Sequence, residues 1–232
     1  MKKILYAVAI GILLVGCGSV SNPESAINRL AASSDMTQAE TDSIASVLAK
    51  FPNNTQLAIS FMNDSTARYY GAIRKEDTLQ TIDNANRVFE IGSISKLFTS
   101  ALLAKMADSE ELQLNDPVQQ YLDFAIKDSL QITFKQLANH TSGMPRVPSG
   151  FIWEALWHMD NPYKDYDQQK LRKYLSTYVT LNNEPGSEYQ YSNIGAGTLG
   201  YILTTVSGLG YGQMLEEQIF SRFDMHSSTV NR

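Results

Sequence analysis

The sequence predicts an α+β protein, with a strand pair near its N-terminus and helices over most of the remainder. Two observations support this. Leu57–Met62 and Ala67–Ile73 read as strands split by Asn63-Asp64-Ser65, a hairpin signature. Nearly every later segment has helical spacing, and no strand alternates with helix in the βαβ manner, which disfavours a doubly wound parallel sheet. The 232 residues, 43% hydrophobic and 19% charged, suit one globular domain.

In chain order, the first segment is a leader. Lys2 and Lys3 precede a mostly apolar run, Ile4–Val15, which is too short to span a bilayer and fits a signal-peptide h-region. It ends in Leu14-Val15-Gly16-Cys17, which resembles the bacterial lipobox, where the cysteine is lipidated and becomes the new N-terminus. A plain secretory signal with a stray cysteine is the alternative. The lipobox is favoured because Cys17, the only cysteine, stands where cleavage is expected. The expected organisation is a signal peptide over 1–16, a tether over 17–34 and the domain over 35–232. A lipid on Cys17 would hold the protein to a membrane of the cell envelope. Gly18 resembles outer-membrane sorting in Gram-negative bacteria, which would place the protein on the periplasmic or outer-membrane side.

Ile44, Val47, Leu48 and Phe51 predict an amphipathic helix ending before Pro52. The hairpin follows, and then a polar stretch, Arg74–Arg87. Phe98, Leu102 and Met106 mark the buried face of a long helix. Asn115-Asp116-Pro117 is a turn, and Ile132–Ala138 reads equally as a short helix or a strand edge. Trp153 and Trp157 lie one helical turn apart. Asp167–Tyr178 is helical, with Leu171, Tyr174, Leu175 and Tyr178 on one side, and Glu184-Pro185-Gly186 breaks the pattern. Gly195–Val206 is glycine-rich but helical, with Gly208 as its C-cap, and Tyr211–Phe220 is a last helix.

Composition excludes several functions. The formal charge of −5 offers no basic footprint for nucleic acid. One cysteine allows neither a disulfide within the chain nor a cysteine-based metal site. His140, His158 and His226 are far apart and form no HExxH pattern, so neither metal nor cofactor is expected.

Chemistry concentrates in "FEIGSISKLF", Phe89–Phe98. S-x-x-K by itself is expected about once by chance in such a chain. Its context adds weight. Gly92 permits a tight strand-to-helix turn, putting Ser93 at a helix N-terminus where the dipole favours a developing oxyanion. Residues i and i+3 share a face, so the Lys96 amine can reach Ser93 Oγ and take its proton if its pKa is depressed. Otherwise Ser93 is a helix N-cap and Lys96 a solvated charge. A second cluster, Tyr191-Ser192-Asn193, follows a Pro-Gly turn and precedes the glycine-rich helix, with "LANHTSGMP", Leu137–Pro145, between the two.

These three blocks resemble the class C serine β-lactamases with their penicillin-binding-protein, D-aminopeptidase and esterase relatives. That family carries F-x-x-G-S-x-S-K, L-x-x-H-T-S-G and P-G-x-x-x-x-Y-S-N, matched here by Phe89–Lys96, Leu137–Gly143 and Pro185–Asn193. The resemblance spans about Ala39 to Thr229. It implies a β-lactamase/DD-peptidase-like fold, an antiparallel sheet flanked by helices with a helical lobe. Ser93 would be the acylated nucleophile, and Lys96 and Tyr191 would share the general-base work, their order left open. Asn193 would bind the substrate's amide carbonyl and help orient Lys96. His140 would fix a loop, and Trp153, Trp157 and Tyr178 would lie in the core or on a cleft wall. No G-x-S-x-G elbow is present, which disfavours a Ser-His-Asp hydrolase.

The sequence departs from the family in two respects. No Lys-Thr-Gly or His-Ser/Thr-Gly triplet occurs, and "FDMHSSTV" resembles P-L-G-M-x-x-T without its proline, leucine and glycine. In the family, later strands supply a second oxyanion donor, a cation beside the tyrosine and the centre of the sheet. The expectation is therefore a truncated domain whose hairpin stands without neighbours. The expected function is a lipid-anchored, monomeric serine hydrolase acting on amides or esters: D-Ala-D-Ala-type peptides, β-lactams or small esters. The alternative is a silent envelope lipoprotein that at most binds peptidoglycan fragments.

Overall fold

The computed structural model describes residues 26–33, 36–62, 66–158 and 161–231. The leader, Cys17 and the Asn63-Asp64-Ser65 turn lie outside the described residues. The chain forms two compact units that part between Glu90 and Ile91.

The first unit is a sheet with one helix. Helix α1, Gln38–Leu48, opens with a capping box: the Thr37 hydroxyl accepts from the Glu40 N–H, and the Glu40 carboxylate accepts from the Thr37 N–H at 2.8 Å. The strands are β1, Ile27–Arg29, β2, Gln56–Met62, β3, Ala67–Lys75, and β4, Thr78–Thr81, in the order β1-β4-β3-β2. Along β2, Leu57, Ile59 and Phe61 face the core and the residues between them face solvent, the period of two expected of a half-buried strand. The core of this unit gathers Leu30, Met36, Ile44, Leu48, Tyr70 and Leu79.

Four expectations need correction here. The hairpin does have neighbours: Glu76 and Asp77, both at positive φ (49° and 54°), reverse the chain into β4 in the manner of a type I′ turn. The stretch expected to be a tether contributes β1, which pairs parallel with β4, so the sheet is mixed rather than antiparallel. Val47 and Phe51 are exposed, because the buried face of α1 runs through Thr41, Ile44, Ala45 and Leu48. Arg74, at the start of the stretch read as polar, is fully buried. Its guanidinium donates to the carbonyls of Ala49 and Phe51 beyond the end of α1 and pairs with Asp77 at 2.6 Å.

The second unit is helical. Its helices are α2, Ser95–Asp108, α3, Phe134–Ala138, α4, Phe151–Trp157, α5, Gln168–Lys173, α6, Asn193–Ser207, and α7, Tyr211–Leu215. Leu102, Leu103 and Met106 of α2 share one core with Leu199, Ile202 and Leu203 of α6, closed by Phe134, Leu175 and Phe220. Each such side chain stabilises the fold by roughly 1.5–3 kcal/mol when fully buried. A capping box between Thr133 and Gln136 decides Ile132–Ala138 in favour of a helix, α3. Gly208 closes α6 with φ 69°.

Helices α5 and α7 each continue into a π-helical turn, Tyr174–Tyr178 and Glu216–Phe220. The wider turn shifts the phase by one residue. The Val179 N–H reaches the Tyr174 carbonyl at 2.9 Å, Val179 is fully buried, and Tyr178 turns outward. Trp153 and Trp157 lie on α4 with 73% and 85% of their surface exposed, so neither belongs to the core.

Candidate active site

Ser93 sits in a 3₁₀ turn, Gly92–Ile94, that leads directly into α2. No strand precedes it; residues 82–91 are irregular. Gly92 has φ +52°, and a Cβ there would meet nothing within 4 Å, so the left-handed backbone, not crowding, calls for glycine. The first amide to find an acceptor is that of Ile94, at the Ile91 carbonyl, and Ser93 precedes it at the open end of the helix. One turn into the helix, Lys96 Nζ donates to Ser93 Oγ at 3.3 Å.

Tyr191 arrives from the other side of the sequence. Its hydroxyl lies 2.6 Å from Ser93 Oγ. It stands just before α6, whose N-cap, Ser192, accepts from the Gly195 N–H at 2.8 Å and donates to the Pro145 carbonyl at 2.7 Å. The HTSG block fixes this approach. The amides of Asn182, Gly186 and Gln190 donate to the carbonyls of Gly143, Thr141 and His140 at 2.8, 2.7 and 2.7 Å. The Ser192 N–H donates to His140 Nδ1 at 3.3 Å, and the Asn193 N–H donates to the Arg146 carbonyl at 2.9 Å. Gly143 makes the approach possible, since a Cβ there would stand 2.0 Å from the Asn183 oxygen. His140 therefore fixes a loop, as the resemblance implies.

The electrostatics favour a proton acceptor. Burial pushes the Tyr191 phenol up. Its interactions with the Lys96 and Ser93 side chains, and the charges of Lys96 and Arg146, outweigh that and hold it below its usual value. Burial, assisted by Lys96, lowers the His140 pKa, which suits an imidazole whose Nδ1 must accept. The resemblance placed the cation beside the tyrosine in later strands. Two cations of this chain already face the ring: Lys96 Nζ at 5.0 Å from its centroid and the Arg146 guanidinium carbon at 5.3 Å. Arg146 escaped the sequence reading, although it immediately follows the HTSGMP segment.

Asn193 is in the same cleft, but its amide donates to the Tyr163 hydroxyl at 2.9 Å. Among the described residues it makes no hydrogen bond to Lys96. The cleft has a volume of about 640 Å³ and runs from Ser93 and Lys96 past Asn193 to Gly197, Thr99 and Tyr211. The Thr99 and Tyr211 hydroxyls, 2.7 Å apart, tie α2 to α7 at its far end. Among the described residues no group of three His, Cys, Asp or Glu side chains is placed to hold a metal ion.

Residues 56–232 match the model of the Beta-lactamase family. The chain belongs to that family. It is 32% identical over 178 residues to the D-alanyl-D-alanine-carboxypeptidase/endopeptidase AmpH of Escherichia coli, a match covering 72% of this chain and 42% of that protein. A beta-lactamase of Providencia stuartii is 29% identical over 187 residues, covering 78% and 44%. Among solved structures, D-alanine carboxypeptidase AmpC from Burkholderia cenocepacia shares the fold, with a TM-score of 0.61 at 23% identity, covering 82% of this chain and 49% of that one. The chain thus spans less than half the length of these relatives.

Proposed function

We propose that this protein is a serine hydrolase that cleaves amide or ester bonds through an acyl-serine intermediate at Ser93. The observation that carries the reading is the Ser93 hydroxyl, 2.6 Å from the Tyr191 hydroxyl and 3.3 Å from Lys96 Nζ. Ser93 Oγ attacks the substrate carbonyl carbon, and its proton passes to Tyr191, the nearer and electrostatically favoured acceptor. The Ser93 N–H faces the developing oxyanion from the helix end. The carbon–nitrogen or carbon–oxygen bond then breaks, the leaving amine or alcohol takes the proton, and water hydrolyses the ester to release the acid and Ser93. Asn193 orients the substrate's amide. The names of the relatives support D-Ala-D-Ala-type peptides and β-lactams as substrates, with small esters as simpler members of the class.

A fluorophosphonate or penicillin probe should acylate or phosphonylate the protein at Ser93, and Ser93→Ala should abolish the labelling. Labelling that survives in the variant would overturn the assignment. Binding of peptidoglycan peptides without any labelling would favour the silent envelope protein. Lipidation at Cys17 belongs to the same proposal, supported by Leu14–Cys17 after the basic start and apolar run. Cys17→Ser should abolish incorporation of a radioactive fatty acid and move the protein to the soluble fraction; unchanged membrane association would refute the anchor.

A further inference from the structure

A free phenol titrates near 10, so Tyr191 needs a positive neighbour to accept a proton at neutral pH. Four polar or titratable groups surround its ring. Ser93 and Lys96 come from the start of α2. His140, with ring centroids 4.7 Å apart, and Arg146 come from the HTSG loop. His140 is kept in its neutral form by burial and by Lys96, so it supplies no charge. Lys96 bonds to the nucleophile itself and changes its charge whenever it takes or gives a proton. Arg146 is the one neighbour whose charge cannot change, because a guanidinium stays protonated in proteins.

The placement of Arg146 is specific. Its own carbonyl accepts the Asn193 N–H at 2.9 Å, and the carbonyl before it, that of Pro145, accepts the Ser192 hydroxyl at 2.7 Å. Its backbone is thus tied to both residues that follow Tyr191, while its guanidinium lies over the Tyr191 ring. Arg68, Arg74 and Arg172 each pair with a carboxylate. Arg146 makes no ion pair among the described residues, so its charge is not neutralised where it meets the phenol.

Resting on the acyl-transfer reading above, we infer that Arg146 is a positioning residue of this site: its guanidinium holds the Tyr191 ring against Ser93 and supplies a permanent positive charge that keeps the phenol ready to accept the Ser93 proton, whatever the protonation state of Lys96. The same geometry explains why the HTSG loop carries the cation. The hydrogen bonds that seat Tyr191 also seat Arg146.

Two variants test this, Arg146→Gln and Arg146→Lys, through a readout that needs no turnover. In protein labelled with ¹³Cζ-tyrosine, the Tyr191 resonance is identified by its loss in Tyr191→Phe and titrated with pH. Arg146→Gln should weaken the acidity of Tyr191 about three- to tenfold, the size expected of one charge near 5 Å in a half-exposed site. Arg146→Lys should restore most of the shift. The acid limb of the pH profile for fluorophosphonate labelling at Ser93 should move to higher pH by the same factor. A titration unchanged in Arg146→Gln overturns the inference. So does labelling that slows equally at every pH with the limb unmoved, the mark of a merely structural role. If no probe labels Ser93 at any pH, the acyl-transfer reading fails, while the Tyr191 titration still decides the role of Arg146.

Discussion

Arg74 and Arg146 are the same residue type in opposite settings. Arg74 is fully buried in the first unit, where its guanidinium donates to two backbone carbonyls and pairs with the Asp77 carboxylate. Arg146 is exposed in the second unit and faces an aromatic ring. The first arrangement is what a buried charge requires, since an unpaired one costs several kcal/mol. The second leaves positive charge unneutralised near Ser93, where Lys96 adds to it. A cation used for stability has its field consumed by its partners; a cation used for chemistry keeps it.

The contrast is broken most directly at Lys96. Lys96→Ala should slow labelling of Ser93 by about 10²–10⁴-fold, the usual share of general acid–base catalysis. Its stability should stay within about 0.5 kcal/mol of the parent, because the side chain is half-exposed and outside the core. Urea unfolding beside labelling kinetics checks both halves. A variant that instead unfolds while labelling at the parent rate would put Lys96 in the structural class.

Arg74→Met should show the reverse. The carbonyls of Ala49 and Phe51 lose their donor in a partly buried setting, which should cost about 1–3 kcal/mol in urea or thermal unfolding. A slow-labelling, fully stable Arg74→Met protein would erase the distinction between the two arginines.

His140 gives the smallest effect and sharpens the boundary between the classes, being a structural residue within the site. Its folded pKa is lowered from 6.5, so the unfolded chain binds the proton more tightly. Its stabilising contribution is therefore complete above about pH 6.5 and is lost as pH falls toward the depressed folded value. Stability measured by urea midpoint should decline over that window, by about 1 kcal/mol if the Ser192 N–H loses its acceptor. His140→Gln should flatten the decline. An identical slope in the variant would show that other groups set it.

Much of the site was legible because its signals are local. Gly92, Ser93 and Lys96 lie within one short segment, and Gly208 marks the end of α6 by cap chemistry that needs no distant partner. The parts that were misread depend on partners far along the chain. Residues 74–87 read only as a polar stretch until Arg74 meets the end of α1 and Thr78–Thr81 pairs with β1 and β3. Glu76-Asp77 gives no strong hairpin signal, although both residues adopt positive φ. The tryptophans were expected in the core or on a cleft wall, yet α4 presents them to solvent.

The sequence alone determined the family blocks, the placing of Ser93 and Lys96 on one helical turn, and the helical character of the second unit, because hydrophobic periodicity and caps act over a few residues. Only the tertiary structure decided that Tyr191 touches Ser93 across 98 residues of chain, that the HTSG loop seats it, and that Arg146 stands over its ring. The physical reason is range. Backbone preference is written residue by residue, whereas the field at a phenol depends on which charges folding brings within about 5 Å of it.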